Sequence, residues 1–267
     1  MARSTLLLAA TAVLTVSLLA ACGASDVPGL GIAAPANAAM STESTAEGAK
    51  TFSGPFTDGS VQPLGGREVL KNPTIADIMA PSSSLPEMTL GRADAPVTII
   101  KYASMTCPYC ARFQREVFPE IKRQYIDTGK VRFIIREFPI GFQSGAATIA
   151  LRCADPGKQF ALYDKLMAQQ ASWVSMEVRS EPIFKVAAQV GMTRERFEEC
   201  RQDKAMIAEL NKIKERGRTL GVIGTPNFFI NGRLIKSVLT LADVKAIIDP
   251  LIAGGGATAE APVAQKS

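Results

Sequence analysis

Four consecutive residues, Cys107-Pro108-Tyr109-Cys110, hold two thiols at a spacing that lets them close into a disulfide and trade it with another molecule. The same spacing is also half of a structural zinc site, so the rest of the chain has to discriminate between redox chemistry and metal binding. The 267 residues include 5 cysteines and no histidine. Cys22, Cys153 and Cys200 stand alone, so no second close pair completes a zinc site, and no metal is expected. Without histidine, Cys-His and Ser-His-Asp nucleophilic sites and His-based metal centres are excluded. Thiols must carry the chemistry.

The residues flanking the pair show what must position it. An apolar run at 97–100, continued by 102–106, reads as a strand, and Phe113, Val117, Ile121 and Tyr125 then recur at helical spacing. Cys107 therefore falls at a helix N-terminus, where the dipole and unpaired backbone amides favour thiolate over thiol. A strand at 87–90 precedes this unit and another at 131–138 follows it, giving a βαβ order. Residues 144–218 read as helical, broken at Asp155-Pro156-Gly157, Glu181-Pro182 and Gly191-Met192-Thr193. Two strands, 227–230 and 234–238, turn at Asn231-Gly232, and a final helix capped at Thr240 points Val244, Ile247, Ile248 and Leu251 inward. Ile75, Ile78 and Met79 are expected to form a short helix docked on the domain.

Arg3 followed by an apolar run at 6–21 has the form of an export signal, too short for a membrane span. The run ends in Leu19-Ala20-Ala21-Cys22, which resembles the lipobox of bacterial lipoproteins. Residues 1–21 are then a signal peptide, and Cys22 carries lipid. Cleavage after Ala36-Asn37-Ala38 or an uncleaved anchor are the alternatives. Residues 22–75 read as a flexible tether, 76–252 as the folded domain and 253–267 as a disordered tail. With Cys22 assigned to lipid and Cys107 with Cys110 to exchange, Cys153 and Cys200 remain. An oxidising envelope permits a structural disulfide between them; two buried free thiols are the other reading. The net charge of +5 comes from basic residues interspersed with acids, so nucleic acid is not an expected partner. The stretch 212–218 is the only candidate for a membrane-facing basic patch.

The order βαβ, helical segment, ββα, with Cys107-Pro108-Tyr109-Cys110 and a distant Gly224-Thr225-Pro226, resembles the thioredoxin superfamily, and more narrowly the DsbA-type exported disulfide oxidoreductases. The phrases at 102–106 and 227–232 also resemble this family, and the likeness covers about residues 86–252. It implies an α/β, thioredoxin-like fold with an inserted helical subdomain at about 144–218, and no cofactor. It implies Cys107 as the exposed nucleophile, Cys110 as the buried resolving thiol, Pro226 as a cis-proline, and Thr225 with its backbone toward the cysteines and available to an extended client. Met105 and Phe228 are expected to hold that client loosely. The implied partners are unfolded or reduced exported proteins and a DsbB-like membrane quinone reductase, at the periplasmic side of a bacterial envelope.

Two positions depart from the family pattern. Tyr109 stands where DsbA proteins usually carry histidine, which implies a milder oxidant. Lys101 stands where the superfamily usually carries a partly buried acid. Its ammonium either points toward Cys110, favouring thiolate there, or snorkels to solvent. Disulfide formation is the leading direction. Reduction, isomerisation or thiol donation to cytochrome or copper-site assembly would use the same fold in reverse, and a lipid-anchored chaperone or binding module would use the cysteines only structurally.

Overall fold

Strand β2 (Val97–Ala103) alternates, sending Val97, Ile99, Lys101 and Ala103 to one face and Thr98, Ile100 and Tyr102 to the other. The computed structural model describes residues 69–255, and this strand is the centre of its sheet. The order is β1 (Met88–Leu90), β3 (Val131–Glu137), β2, β4 (Asn227–Ile230) and β5 (Arg233–Ile235). Strands β2 and β3 are parallel, as a helical crossover requires, and the other pairs are antiparallel.

The larger core lies on the face of Val97, Ile99 and Ala103, beneath α2 (Pro108–Glu116), α3 (Phe118–Ile121), α5 (Gln159–Ala168) and α10 (Leu241–Ala253). The smaller core, on the opposite face, gathers Ile100, Tyr102, Ile134 and Phe229 with Ile78 of α1 (Ile75–Met79). Between β3 and β4 run six α-helices, α4 (Gly141–Cys153), α5, α6 (Gln170–Trp173), α7 (Ser180–Ala188), α8 (Arg194–Cys200) and α9 (Lys204–Thr219), with a 3-10 turn at Pro156–Lys158 between the first two. Cys153 and Cys200, the last residues of α4 and α8, are joined by a disulfide with Cα atoms 5.7 Å apart. Gly217 lets α9 meet the sheet, since a Cβ there would lie 2.7 Å from Tyr102 Cε1.

Several boundaries differ from the sequence expectations. Pro182 does not break a helix. It sits in the first turn of α7, where a missing N–H costs nothing, and the break falls at residues 174–179. The last strand ends at Ile235 rather than 238, because its partner β4 starts directly after Pro226, which has no N–H to extend the ladder. The turn itself has Asn231 and Gly232 at φ 43° and 87°, as a tight hairpin needs. Residues 69–75, assigned to the tether, already touch the domain: the Leu70 amide donates to the Thr219 carbonyl at 2.9 Å and its side chain packs on the smaller core. The basic stretch 212–218 is not an open patch. Ile213, Lys214 and Gly217 are buried, Lys212 and Arg218 pair with Glu209 and Glu215, and Arg216 donates to the Asp77 carbonyl. The expected signal peptide, Cys22, most of the tether and the tail beyond 255 lie outside the described residues. No described helix is long and apolar enough to cross a membrane.

Candidate active site

The chain leaves β2 at Ala103, turns through residues 104–106, and enters α2 with Cys107 as the N-cap and Pro108 in the first turn. Proline there loses no hydrogen bond and presets the helical φ. Cys107 is extended, at φ −74° and ψ 117°, so its sulfur turns back over the helix and accepts from the Cys110 amide at 3.4 Å. The Cys107 thiol donates to the Thr225 carbonyl at 3.1 Å, across 118 residues of sequence. The Thr225-Pro226 peptide is cis. Cys107 is partly exposed and Cys110 is fully buried, and the two sulfurs are not bonded to each other.

This placement splits the two thiols electrostatically. The Cys107 thiol is lowered from 9.0 to about 5, first by the hydrogen bond with the Cys110 side chain; burial opposes this, while the Thr225 side chain and the backbone amides of Cys110 and Tyr109 add to it. The Cys110 thiol is pushed well above 9.0, first by burial and then by its hydrogen bond to Cys107; Lys101 opposes the rise. Only one thiol is therefore an anion near neutral pH, and it is the one solvent can reach.

Lys101 does not snorkel. It has 0% exposure, and its ammonium donates to Gln114 Oε1 at 3.1 Å and lies 3.5 Å from the Cys110 carbonyl oxygen. It also sits over the rings of Phe113 and Tyr163, 4.6 and 5.4 Å from their centroids. Burial lowers it from 10.5 to about 8, against the pull of Cys110, Cys107 and Asp164. Gln114 Nε2 in turn donates to Asp164 Oδ1 at 2.8 Å, and burial raises that carboxyl. The buried Tyr163 hydroxyl has no partner among the described residues.

The helical segment also grips the loop before Cys107. Ser144 Oγ accepts from the Met105 amide at 2.9 Å and pairs with Ser104 Oγ at 2.7 Å. Gln170 Nε2 donates to the carbonyls of Met105 and Cys107 at 2.7 and 3.1 Å. Gln114 has a readable signal, because it follows Cys110 by one helical turn and interrupts an apolar stripe. Ser144, Asp164 and Gln170 have none, since each reaches the site from a helix 39 or more residues away.

Met105 and Phe228 are not available to a client. They are 3% and 0% exposed, because each points into the larger core. Other apolar side chains are exposed: Tyr109 between the two cysteines, Ile223 two residues before Thr225, Ile140, whose carbonyl accepts from Thr106 Oγ1, Phe142, and Met176 in the segment bound by Gln143. Pro108 is likewise exposed.

A family model described as Thioredoxin matches residues 83–250. A Rickettsia bellii protein, provisionally named a protein-disulfide oxidoreductase, is 33% identical over 171 residues, covering 62% of this chain and 64% of the relative. A Bacillus anthracis protein, provisionally named disulfide bond formation protein D, is 28% identical over 156 residues, covering 55% of this chain and 71% of its own length. The crystal structure of Wolbachia pipientis alpha-DsbA1 superposes with a TM-score of 0.60 at 28% identity, covering 66% of this chain and 98% of that one. The matches span 64%, 53% and 54% of the first three curated relatives, all of Rickettsia.

Proposed function

Because the chain belongs to the thioredoxin family and is of its DsbA type, we propose that it is a thiol:disulfide oxidoreductase that puts disulfides into exported proteins through Cys107 and Cys110. The observation that carries this reading is the asymmetry of the pair: a partly exposed thiol held at about 5 beside a buried one held well above 9.0. With the pair oxidised, a client thiolate attacks Cys107 Sγ, the sulfur–sulfur bond breaks, and its electron pair leaves on Cys110. A second client thiolate then attacks the client sulfur of the mixed disulfide and releases Cys107 as thiolate. A thiol of low pKa leaves readily, and stabilising the reduced form raises oxidising power. Tyr109, Ile140, Phe142, Met176 and Ile223 offer apolar contact to many clients, beside the Thr225 backbone.

In this reading the protein works at the periplasmic side of a bacterial envelope, is tethered through lipid on Cys22, and is reoxidised by a DsbB-like membrane quinone reductase. The test is twofold. Native protein should oxidise reduced ribonuclease and Cys107→Ser should not; equal behaviour of the two would favour a chaperone or binding module. The equilibrium potential against glutathione then sets the direction. A value near that of thioredoxin, about −270 mV, would defeat the oxidase reading in favour of a reductase, isomerase or thiol donor.

A further inference from the structure

Strand β3 outlasts its neighbour β1. Their pairing begins at Met88 opposite Ile135, so Arg136 and Glu137, the last residues of β3, have no β1 partner. The segment 80–87, which leads from α1 into β1, closes this gap together with Arg152 of α4 and Ile213 of α9. It leaves a cavity of about 150 Å³, far more than the ~15 Å³ that one water needs. None of Cys107, Cys110, Thr225 and Pro226 lines it, so the thiol chemistry does not account for it.

The polar wall of this cavity is incomplete. Glu137 and Arg152, both lining it, form an ion pair whose side chains are each 3% exposed. Arg152 Nε donates to Glu137 Oε1, and Arg152 Nη1 donates to the Pro86 carbonyl at 2.7 Å. Glu137 Oε2 is buried with no donor among the described residues, and no bond among them uses Arg152 Nη2. A buried carboxylate oxygen without a donor costs more than an ordinary lost hydrogen bond, so the cavity calls for a donor inside it. The acceptor and the spare guanidinium donor belong to one ion pair, and Ser82 adds a hydroxyl to the same wall.

We propose that this cavity binds a small neutral polyol or the end of a sugar, with one hydroxyl donating to Glu137 Oε2 and an adjacent oxygen accepting from Arg152 Nη2. The charges already present select a neutral ligand. Glu87, the other lining carboxylate, accepts from Arg136 at 2.6 Å and lies 3.6 Å from Arg132. Each acid thus has its own guanidinium, so a ligand cation would also face Arg136 and Arg152, and an anion would also face the acids. Adjacent hydroxyls both donate and accept, which matches an acceptor and a donor side by side. The rest of the wall includes Pro81, Leu85 and Ile213, apolar surface against which the carbons of such a molecule can lie.

The test follows the amide signals of Ser82, Ser83 and Leu85 by nuclear magnetic resonance in the isotope-labelled full chain, as glycerol or methyl α-glucoside is added. The shifts should saturate, with a Kd of about 1–10 mM for so small a ligand, whereas acetate and methylammonium should not saturate them. Tighter binding of the glucoside assigns the site to a sugar end, and tighter binding of glycerol to a free polyol. Glu137→Gln turns the open acceptor into a donor while keeping an oxygen for Arg152, and should weaken binding by about 10-fold or more. Ser82→Phe, in the partly exposed segment 80–87, fills the cavity without touching the buried ion pair and should abolish binding. Shifts that stay linear with both polyols, as for a cavity that holds only water, would overturn the proposal. So would equal or tighter saturation by acetamide, acetate or methylammonium, or unchanged binding in Ser82→Phe. Cys107→Ser should bind as the native protein does, so a failure here leaves the exchange reading standing.

Discussion

Acidification from pH 7 to pH 4 should erase the stability that the reduced protein draws from the Cys107 thiolate. The folded thiol titrates at about 5 against an ordinary 9.0, a depressed value. Such a group contributes stability that is complete only above 9.0 and is lost as pH falls through about 5. At pH 7 the unfolded thiol is still protonated, so only the interval between about 5 and 7 counts. At about 1.36 kcal/mol per pH unit that is about 2.7 kcal/mol, and the partial exposure of the sulfur screens it to ~1.4 kcal/mol. Cys110, raised by burial, is protonated in both folded and unfolded chains across this window and cancels. The oxidised protein has no thiolate and serves as the reference, since carboxylate titrations common to both forms drop out of the difference. The assay is urea unfolding of reduced and oxidised protein at both pH values. The reduced form should lose ~1.4 kcal/mol relative to the oxidised form on going to pH 4, which is about 30 mV of oxidising power in a two-electron couple. A reduced-minus-oxidised difference that does not move between the two pH values would refute the reasoning.

Gln170→Leu removes the donor to the Met105 and Cys107 carbonyls, so thiolate absorbance should show Cys107 titrating above its present value of about 5, with about 1 kcal/mol lost in unfolding. An unmoved titration would leave Gln170 a structural contact only. Arg152→Met strands the Glu137 carboxylate, which is 3% exposed, without its charged partner; urea unfolding should show a loss of about 3–5 kcal/mol, largely recovered when Glu137→Leu is added. The double variant Cys153→Ala with Cys200→Ala opens a loop spanning 47 residues, and its unfolding free energy should fall by about 4 kcal/mol if loop-closure entropy governs; a loss under about 1 kcal/mol would refute that account.

Local patterns were enough to place the thiols. The alternation of 97–103 made a strand, Pro108 after Cys107 opened a helix, and Thr240 with Asp243 capped the last one through a capping box. Each is a signal between residues a few positions apart, so each is legible without the fold. The stripe of Phe113, Val117, Ile121 and Tyr125 is buried in the core as its spacing implied, although π-helical geometry takes over at Lys122–Ile126.

What the sequence determined by itself, then, is the kind of chemistry and the helix end that supports it: two thiols at the start of a helix, in a chain without histidine. Tertiary structure decided how that chemistry is tuned. Alternation in β2 put Lys101 on the core face, but whether its ammonium could stay there depended on Gln114 and Phe113 of α2 and Tyr163 of α5 closing over it. The carbonyl facing Cys107 comes from a residue 118 positions away, and the grip on the preceding loop comes from Ser144 and Gln170. The burial of Met105 and Phe228 was decided in the same way. A capping or periodic pattern is a short-range property of the backbone, whereas burial and hydrogen-bond partners depend on which distant segments pack together, and that packing set the charge on each thiol.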